Sequence, residues 1–355
     1  METAELIILI LSGFFVFGAF ATYLKVSDWW VRVFDFPRLQ ISVMLIACII
    51  AGIAVYSFTE IWHVAILVAC FGALIFELVR IYLYTPFSKK QVMTYTGKDD
   101  QNSISLLVSN VLQTNRNSDK LIQLVKKYDP DILLTLETNK WWEKQLEKIE
   151  PEMPHTIKKS QKNLYGMHLY SKAELKNTSI KHLVKPNIPS FETEVMLNSK
   201  KSIKMYCLHP RPPFPTESDT SLFRDAELLI VGKKVEKTDE PVIVCGDFND
   251  VAWSRTTRLF QKVSELLDPR IGRGFFNSFH AKIPFMRFPL DHVFHSDHFK
   301  LVKMKRLSSI GSDHFPIYIK LYYDSSFERR QEEPDADGEE QKYASEIISE
   351  ANSKE

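Results

Sequence analysis

Hydrophobic positions along this chain follow two regimes. Up to about residue 84 they form long unbroken runs, and from residue 104 onward they form short runs divided by polar and Pro-containing segments. Residues 6–24, 41–58 and 62–84 each approach the roughly 20 apolar residues that cross about 30 Å of hydrocarbon, so three transmembrane helices are predicted. The first run lacks the basic start of a signal peptide and is followed by two more, which argues against cleavage. Trp29, Trp30, Trp62, Tyr82 and Tyr84 flank the runs, at the height where amphipathic rings favour the membrane interface. Glu77 and Arg80 stand one turn apart near the end of the third run. Two arrangements are open: an ion pair facing another helix, or a snorkelling Arg80 with Glu77 near the interface.

Residues 91–102 are polar and read as a linker, and after them the period changes. The Val-, Ile- and Leu-rich runs at 104–108, 132–136 and 242–245 read as buried strands, and residues 164–170, 192–197, 203–208, 290–294, 300–307 and 316–322 also read as β. Ser118 opens a predicted helix to Tyr128 with Leu121, Ile122 and Val125 on one face, and Pro130 stops it. Further helices are expected at 140–149, 218–235 and 256–263. This alternation predicts one α/β domain over residues 103–322. Residues 323–355 are charged and Pro-interrupted, and are expected to be disordered apart from a short helix near 343–351.

Charge changes the picture only when divided. The net charge is +1, but residues 324–355 hold eleven acids and four bases, so the remaining body is basic. A mildly basic body suits an anionic substrate or membrane surface and lacks the long Lys/Arg stripe that tracks a duplex. Cys48, Cys70, Cys207 and Cys245 all fall in apolar runs without metal-binding spacing, which predicts buried free thiols.

The candidate chemistry sits at strand ends. Ser109-Asn110, Leu136-Glu137-Thr138-Asn139, Gly246-Asp247-Phe248-Asn249 and Ser312-Asp313-His314 each put a carboxylate, carboxamide or imidazole at or beyond an apolar run. Such groups can meet at one rim of a sheet, hold a hard cation and act on a phosphate ester. His209 also follows a strand directly, and Pro210, Pro212, Pro213 and Pro215 stiffen its loop. Neighbouring residues on a strand face opposite ways, so Asp291 is expected to orient His314 while His292 points into packing. Oxygen donors with few thiols favour Mg²⁺, or Mn²⁺, over Zn²⁺. Arg211 and Arg255, with Arg258, Arg273 and Arg287, are candidate phosphate readers.

This ordered set resembles the exonuclease–endonuclease–phosphatase superfamily, the deoxyribonuclease-I-like fold, over about residues 103–322. Asn110 matches its first-strand asparagine, Glu137 its metal-binding glutamate, and His209 the histidine of its nuclease and sphingomyelinase branches. Tyr165-Gly166-Met167 with Tyr170-Ser171, Gly246-Asp247-Phe248-Asn249, Asp291 and Ser312-Asp313-His314 match the remaining motifs in order. The resemblance implies a four-layer α/β sandwich of two mixed β-sheets, preceded here by three transmembrane helices. It also implies a Mg²⁺-dependent phosphodiesterase or phosphatase. In that scheme Glu137 and Asn110, with Asp313, hold the metal, and Asp247 activates or positions water. Asn249 binds phosphate, His314 steadied by Asp291 supports the pentacovalent state, and His209 acts as acid or donor. Tyr170 of the matching strand is a further substrate-binding candidate, and Arg211 and Arg255 are added as substrate-binding candidates in stretches where the chain departs from the family pattern.

The expected function is a membrane-anchored, divalent-metal-dependent phosphoric ester hydrolase acting on nucleic acid or a phospholipid headgroup, with the lipid bilayer as its other partner. The alternative is a non-catalytic membrane scaffold, against which the full set of candidate ligands argues. Lys25, Arg32 and Arg38 follow the first run and Lys89, Lys90 and Lys98 the third, while the opposite ends carry none. Positive-inside counting therefore predicts a cytoplasmic domain on a multi-pass protein, in the plasma (inner) membrane of a bacterium.

Overall fold

A computed structural model describes residues 2–97, 101–324 and 331–354. Helices α1 (Thr3–Ala21), α2 (Trp29–Arg32), α3 (Arg38–Val55) and α4 (Ile61–Tyr82) come first. Of these, α1, α3 and α4 are long and apolar enough to cross a membrane. They pack on one another through Ala19, Leu45, Cys48, Cys70 and Ala73, while Ile10, Ile50 and Val68 are more than half exposed.

A buried ion network ties their domain-side ends. Arg38 donates to Asp35 (2.7 Å), to Glu77 (3.0 Å) and to Thr22 Oγ1 (3.1 Å), and Arg32 donates to Asp35 (3.3 Å). Glu77 thus pairs with Arg38 and not with Arg80, whose guanidinium lies over the Phe76 ring. Three residues along a helix rotate a side chain about 60° off the original face, which turns Arg80 away from the packed side.

The rest alternates strands and helices: β1 (Ser103–Asn110), α5 (Ser118–Tyr128), β2 (Ile132–Leu136), α6 (Lys140–Leu146), β3 (His155–Lys159), β4 (Met167–Ser171), β5 (Leu175–Lys181), β6 (Ser190–Met196), β7 (Ser202–Leu208), α7 (Leu222–Val235), β8 (Val242–Asp247), α8 (Arg255–Ser264), β9 (Asp291–His295), β10 (Phe299–Arg306), β11 (Ile317–Tyr323) and α9 (Gly338–Ser353). One sheet runs β10-β11-β1-β2-β4-β3 and the other β5-β6-β7-β8-β9. Each is mixed: β1–β2 and β7–β8 are the parallel pairs.

Leu106, Val108 and Leu134 of one sheet share a core with Phe191, Met205 and Ile243 of the other. Outside the first sheet, Leu121, Val125 and Trp142 of α5 and α6 cover Leu107 and Leu133. Outside the second, Leu228, Val231 and Phe260 of α7 and α8 cover Tyr206 and Val244. The result is a four-layer sandwich of two mixed sheets between helices. All four cysteines are buried and free, with Cys207 and Cys245 adjacent across β7 and β8.

Two expectations need correction. The acidic tail is not disordered over residues 331–354. Asp337 and Glu340 form a reciprocal N-terminal cap, and Ala344, Ile347 and Ala351 of α9 pack with Leu229 and Val263. That apolar stripe is narrow, and the acids around it hide its period. The supposed linker is also partly built in: Val92 is buried, and Met93 and Tyr95 exchange backbone hydrogen bonds with Leu301 of β10.

Covering α7 on both sides traps an acid. Glu227 is buried and accepts from Ser190 Oγ (2.8 Å), and burial, opposed by that bond, raises its pKa to about 7 from the ordinary 4.5. The native state therefore binds the proton more tightly than the unfolded chain, and stability falls as pH rises through that window. Glu227→Gln should raise the thermal midpoint at pH 8 and leave it nearly unchanged at pH 4.5. The pH 8 gain should be on the order of 3 kcal/mol. An equal effect at both pH values would contradict a buried, titrating Glu227.

Candidate active site

The site grows from the end of β8. Gly246 has φ +143°, and a Cβ there would lie 1.9 Å from the Leu208 carbonyl oxygen, so only glycine lets β8 run this close to β7. Leu208 pairs with Gly246 and Asp247 with Asp291. His209, Asp247 and Asp291 therefore leave three adjacent strands at one rim. Across the sandwich β1 ends at Asn110, and Glu137 follows β2 with φ +60°.

One side chain joins the two rims. Asn110 Nδ2 donates to Glu137 Oε1 (2.9 Å) and to Asp247 Oδ2 (3.1 Å), while its Oδ1 accepts from the Leu112 N–H (3.1 Å). The Gln113 N–H donates to the other Glu137 oxygen (3.3 Å). Ser312 Oγ donates to the Asn110 carbonyl (2.9 Å) and accepts from the His314 N–H (3.0 Å), which pins the last motif to the first. His314 Nδ1 lies 2.7 Å from Asp291 Oδ2 and its Nε2 lies 3.5 Å from Asp247 Oδ2. His209 Nε2 is 3.9 Å from the same Asp247 oxygen.

Burial and charge divide the labour. Burial disfavours a charged His314, but the Asp291 and Asp247 carboxylates outweigh it and raise its pKa to about 10. Burial pushes His209 down to about 4 despite Asp247, so that ring is neutral, and among the described residues its Nδ1 has no hydrogen-bond partner. Burial, reinforced by Asp291 and opposed by His314, holds Asp247 above the usual carboxylate range. Burial also raises Glu137 to about 7, against the Asn110 hydrogen bond.

Two groupings have the residue types for a cation. Asp247, Asp291 and His314 bring ligand atoms within 4.8 Å of one another. There, however, both ring nitrogens already face carboxylates, and a protonated imidazole has no lone pair to give. The Glu137 side fits better. Glu137 and Asp313 lie close enough for Asp313 to raise the Glu137 pKa, and neither has a Lys or Arg within 4 Å among the described residues. Two carboxylates without a Lys or Arg partner, beside a carboxamide, are a hard-oxygen donor set.

Asn249 follows Asp247 in a tight turn: its N–H donates to Asp247 Oδ1 (2.9 Å) and its Nδ2 to the Pro210 carbonyl (2.9 Å). One carboxamide N–H is thus spent on holding the His209 loop, and the other remains. His292 is buried, stacked on Phe248 and bonded to Arg270. Arg211 stays at the rim, 3.4 Å from Glu217, which accepts from the Tyr165 hydroxyl (2.8 Å) beside the His209 ring.

Other candidates lie elsewhere. Tyr170 is fully buried in the cluster between the first sheet and α5–α6, because its place on β4 turns it to the helix layer. Arg255 opens α8 at the junction with the apolar helices, where it donates to the Leu24 carbonyl (2.9 Å) and covers Tyr343. Arg258 and Arg255 line the same cavity, away from the rim. Arg273 ties the segment at Val92 and Thr94 to the domain, and Arg287 lies on Phe315.

Sequence reasoning missed Gln113, Ser278 and Phe279. Ser278 Oγ accepts from the Asp291 N–H (3.0 Å), and the Phe279 ring lies 5.0 Å from His314. None of the three carries an ionisable group or a strand-end signal.

The chain matches the Endonuclease/Exonuclease/phosphatase family model over residues 107–314. No curated protein matches it. Among solved structures it is similar to D. rerio TDP2 complexed with a single-strand DNA product, at 15% identity and a TM-score of 0.51 over 62% of this chain and 98% of that one. The human Nocturnin catalytic domain with bound sulfate is similar at 15% identity and 0.51, over 64% and 97%. A Bacteroides thetaiotaomicron endonuclease/exonuclease/phosphatase family protein is similar at 18% identity and 0.50, over 65% and 98%. At such identities the likeness is one of fold.

The approach of Gly246 to Leu208 gives a stability test. Gly246→Ala should destabilise the protein by roughly 3 kcal/mol or more, from clash and from strain at positive φ. Gly338→Ala, where a Cβ meets nothing within 4 Å, should leave the thermal midpoint nearly unchanged. Equal midpoints for the two variants would contradict the geometry of the β7–β8 pair.

Proposed function

Because the chain belongs to the endonuclease/exonuclease/phosphatase family, we propose that it is a membrane-anchored, divalent-metal-dependent phosphodiesterase that acts on phospholipid headgroups. The observation carrying this reading is the gathering of Asn110, Glu137, His209, Asp247, Asn249, Asp291 and His314 at one rim.

Glu137 and Asp313 would hold the cation, Mg²⁺ or Mn²⁺, with Asn110 beside them; rotating its terminal amide exchanges donor for acceptor. When bound, the cation supplies charge neutralisation at the phosphate and a lowered pKa for water. Asp247, held above the usual carboxylate range, is suited to take the proton of the attacking water. His314, kept cationic by Asp291 and Asp247, offsets the negative charge that builds on the phosphorus oxygens. His209, neutral and with Nδ1 free, offers a hydrogen bond toward the leaving oxygen. The second N–H of Asn249 is left for a phosphate oxygen.

Three features support a lipid substrate. Three helices have the length and apolarity of membrane spans. Lys25, Arg32, Arg38, Lys89 and Lys90 cluster on the domain side, consistent with a cytoplasmic catalytic domain. Residues 279–288 form a hairpin-like loop whose base pairs with His314 and whose tip exposes Phe285 and Met286. The Phe285 carbonyl accepts from Gln40 at the start of α3 (2.7 Å), so the loop joins the catalytic rim to the level of the helix ends. A nucleic-acid substrate would leave that exposed apolar tip without a role.

The full-length protein in nanodiscs should hydrolyse bis-aryl phosphate and phospholipid headgroups with Mg²⁺ and lose both activities with chelator. Asp247→Asn should lower the rate about 10³-fold. Hydrolysis of single-stranded DNA but not of phospholipid would overturn the substrate; hydrolysis unaffected by chelator and by Asp247→Asn would overturn the mechanism.

A further inference from the structure

A second cationic cavity lies away from the catalytic rim, where the ends of α1 and α4 meet α8 and α9. It encloses about 540 Å³ and is lined by Lys25, Arg80, Arg255, Arg258 and Lys262, with Tyr343 and Trp253 as aromatic walls. Its acids are largely committed: Glu340 bonds Lys262 and, with Asp337, caps α9, which leaves the exposed Glu339 at the mouth.

The other four cations have no direct ion pair: the acids that act on Arg80 and Arg255, namely Asp35, Glu77 and Asp225, are already paired with Arg38 and Arg224. Among the described residues, none of Lys25, Arg80, Arg255 and Arg258 has a carboxylate within 4 Å. Lys25 and Arg255 both press on the Tyr343 ring, at 4.9 Å and 5.2 Å from its centroid. Arg255 Nε is buried without a hydrogen-bond partner among the described residues, although its Nη1 reaches the Leu24 carbonyl. Like charges held this close in a partly buried space repel, and an anion between them would relieve that repulsion.

The walls also say what kind of anion fits. Val79 is 66% exposed on the outward side of α4, and Arg80 sits over Phe76, which in turn packs 5.2 Å from Phe20 of α1. The cavity is therefore continuous with an apolar helix surface on one side and closed by α9 on the other. A soluble phosphate would use only the cations, whereas a lipid would use both halves.

We propose that this junction is a binding site for the phosphate of an anionic membrane phospholipid, separate from the catalytic rim, with Arg80, Arg255, Arg258 and Lys25 around the headgroup and the acyl chains along Phe20, Phe76 and Val79. The proposal rests on α1, α3 and α4 lying in a bilayer, not on the catalytic assignment. Headgroup charge is recognised by clustered basic side chains at a membrane interface, at a gain of about fivefold in affinity for each cation.

The test uses the full-length protein purified in detergent, delipidated, and offered phosphatidylglycerol, phosphatidylcholine or glycerol phosphate, with bound lipid counted by native mass spectrometry. One phosphatidylglycerol should be retained preferentially. The double variant Arg80→Gln/Arg255→Gln should bind it on the order of thirtyfold more weakly, while bis-aryl phosphate hydrolysis stays unchanged as evidence of an intact fold. Equal retention of phosphatidylglycerol by wild type and variant would overturn the site. So would equal competition by glycerol phosphate, which would mark a soluble-phosphate site, or no preference over phosphatidylcholine. Reconstitution into nanodiscs separates the outcomes: failure to insert sinks the membrane reading, whereas insertion without lipid preference sinks only this site.

Discussion

A single carboxamide holds the two sheets in functional register at their rims. Asn110 comes from the first sheet, yet it donates to Glu137 of its own sheet and to Asp247 of the other. Carboxylates from separate layers repel as they approach, and a donor shared between them is the simplest way to keep them close. The rest of the site follows from that position. Ser312 reads the Asn110 backbone and presents His314, and Asp291, aligned with Asp247 by the β8–β9 register, fixes the ring.

The region of apolar helices α1, α3 and α4 is built into this scaffold. The loop after β8 is gripped from both sides. Arg224 donates to the Asn249 carbonyl (2.9 Å) and pairs with Asp225 and Asp250 from within the domain. From the helix side, Trp253 Nε1 donates to the Asp35 carbonyl (2.8 Å) and the Tyr84 hydroxyl to the Ala252 carbonyl (2.6 Å). Asp35 also belongs to the buried network of Arg32, Arg38 and Glu77. Packing of the apolar helices and placement of the Asp247–Asn249 turn are thus linked through continuous hydrogen bonds.

Much of the sandwich was legible because its central strands are apolar on both faces. Residues 132–136 and 205–208 stand out in sequence for that reason, and the polar residue just past each such strand is forced to the rim. What was not legible had weaker or longer-range causes. β5 is an exposed strand with Lys176, Asn177 and Thr178 on the surface, so no apolar period marks it. α9 packs by small residues among acids. Tyr170 carries a family-like motif, but the face of β4 it occupies depends on register against β2, which composition does not reveal. Arg255 follows the Asp247–Asn249 turn by only a few residues, yet the helix it opens points it to the junction. Arg38 reaching Glu77 depends on how α3 and α4 pack, which neither segment specifies alone.

The central claim is that distant strand ends converge to hold one hard cation. Binding of Mn²⁺ to the full-length protein, followed by electron paramagnetic resonance, tests it without reference to any substrate. Wild type should show a bound Mn²⁺ signal that Mg²⁺ displaces, Glu137→Gln should abolish it, and Asn110→Ala should weaken it. A bound signal of unchanged strength in Glu137→Gln, or none in the wild type, would contradict the claim.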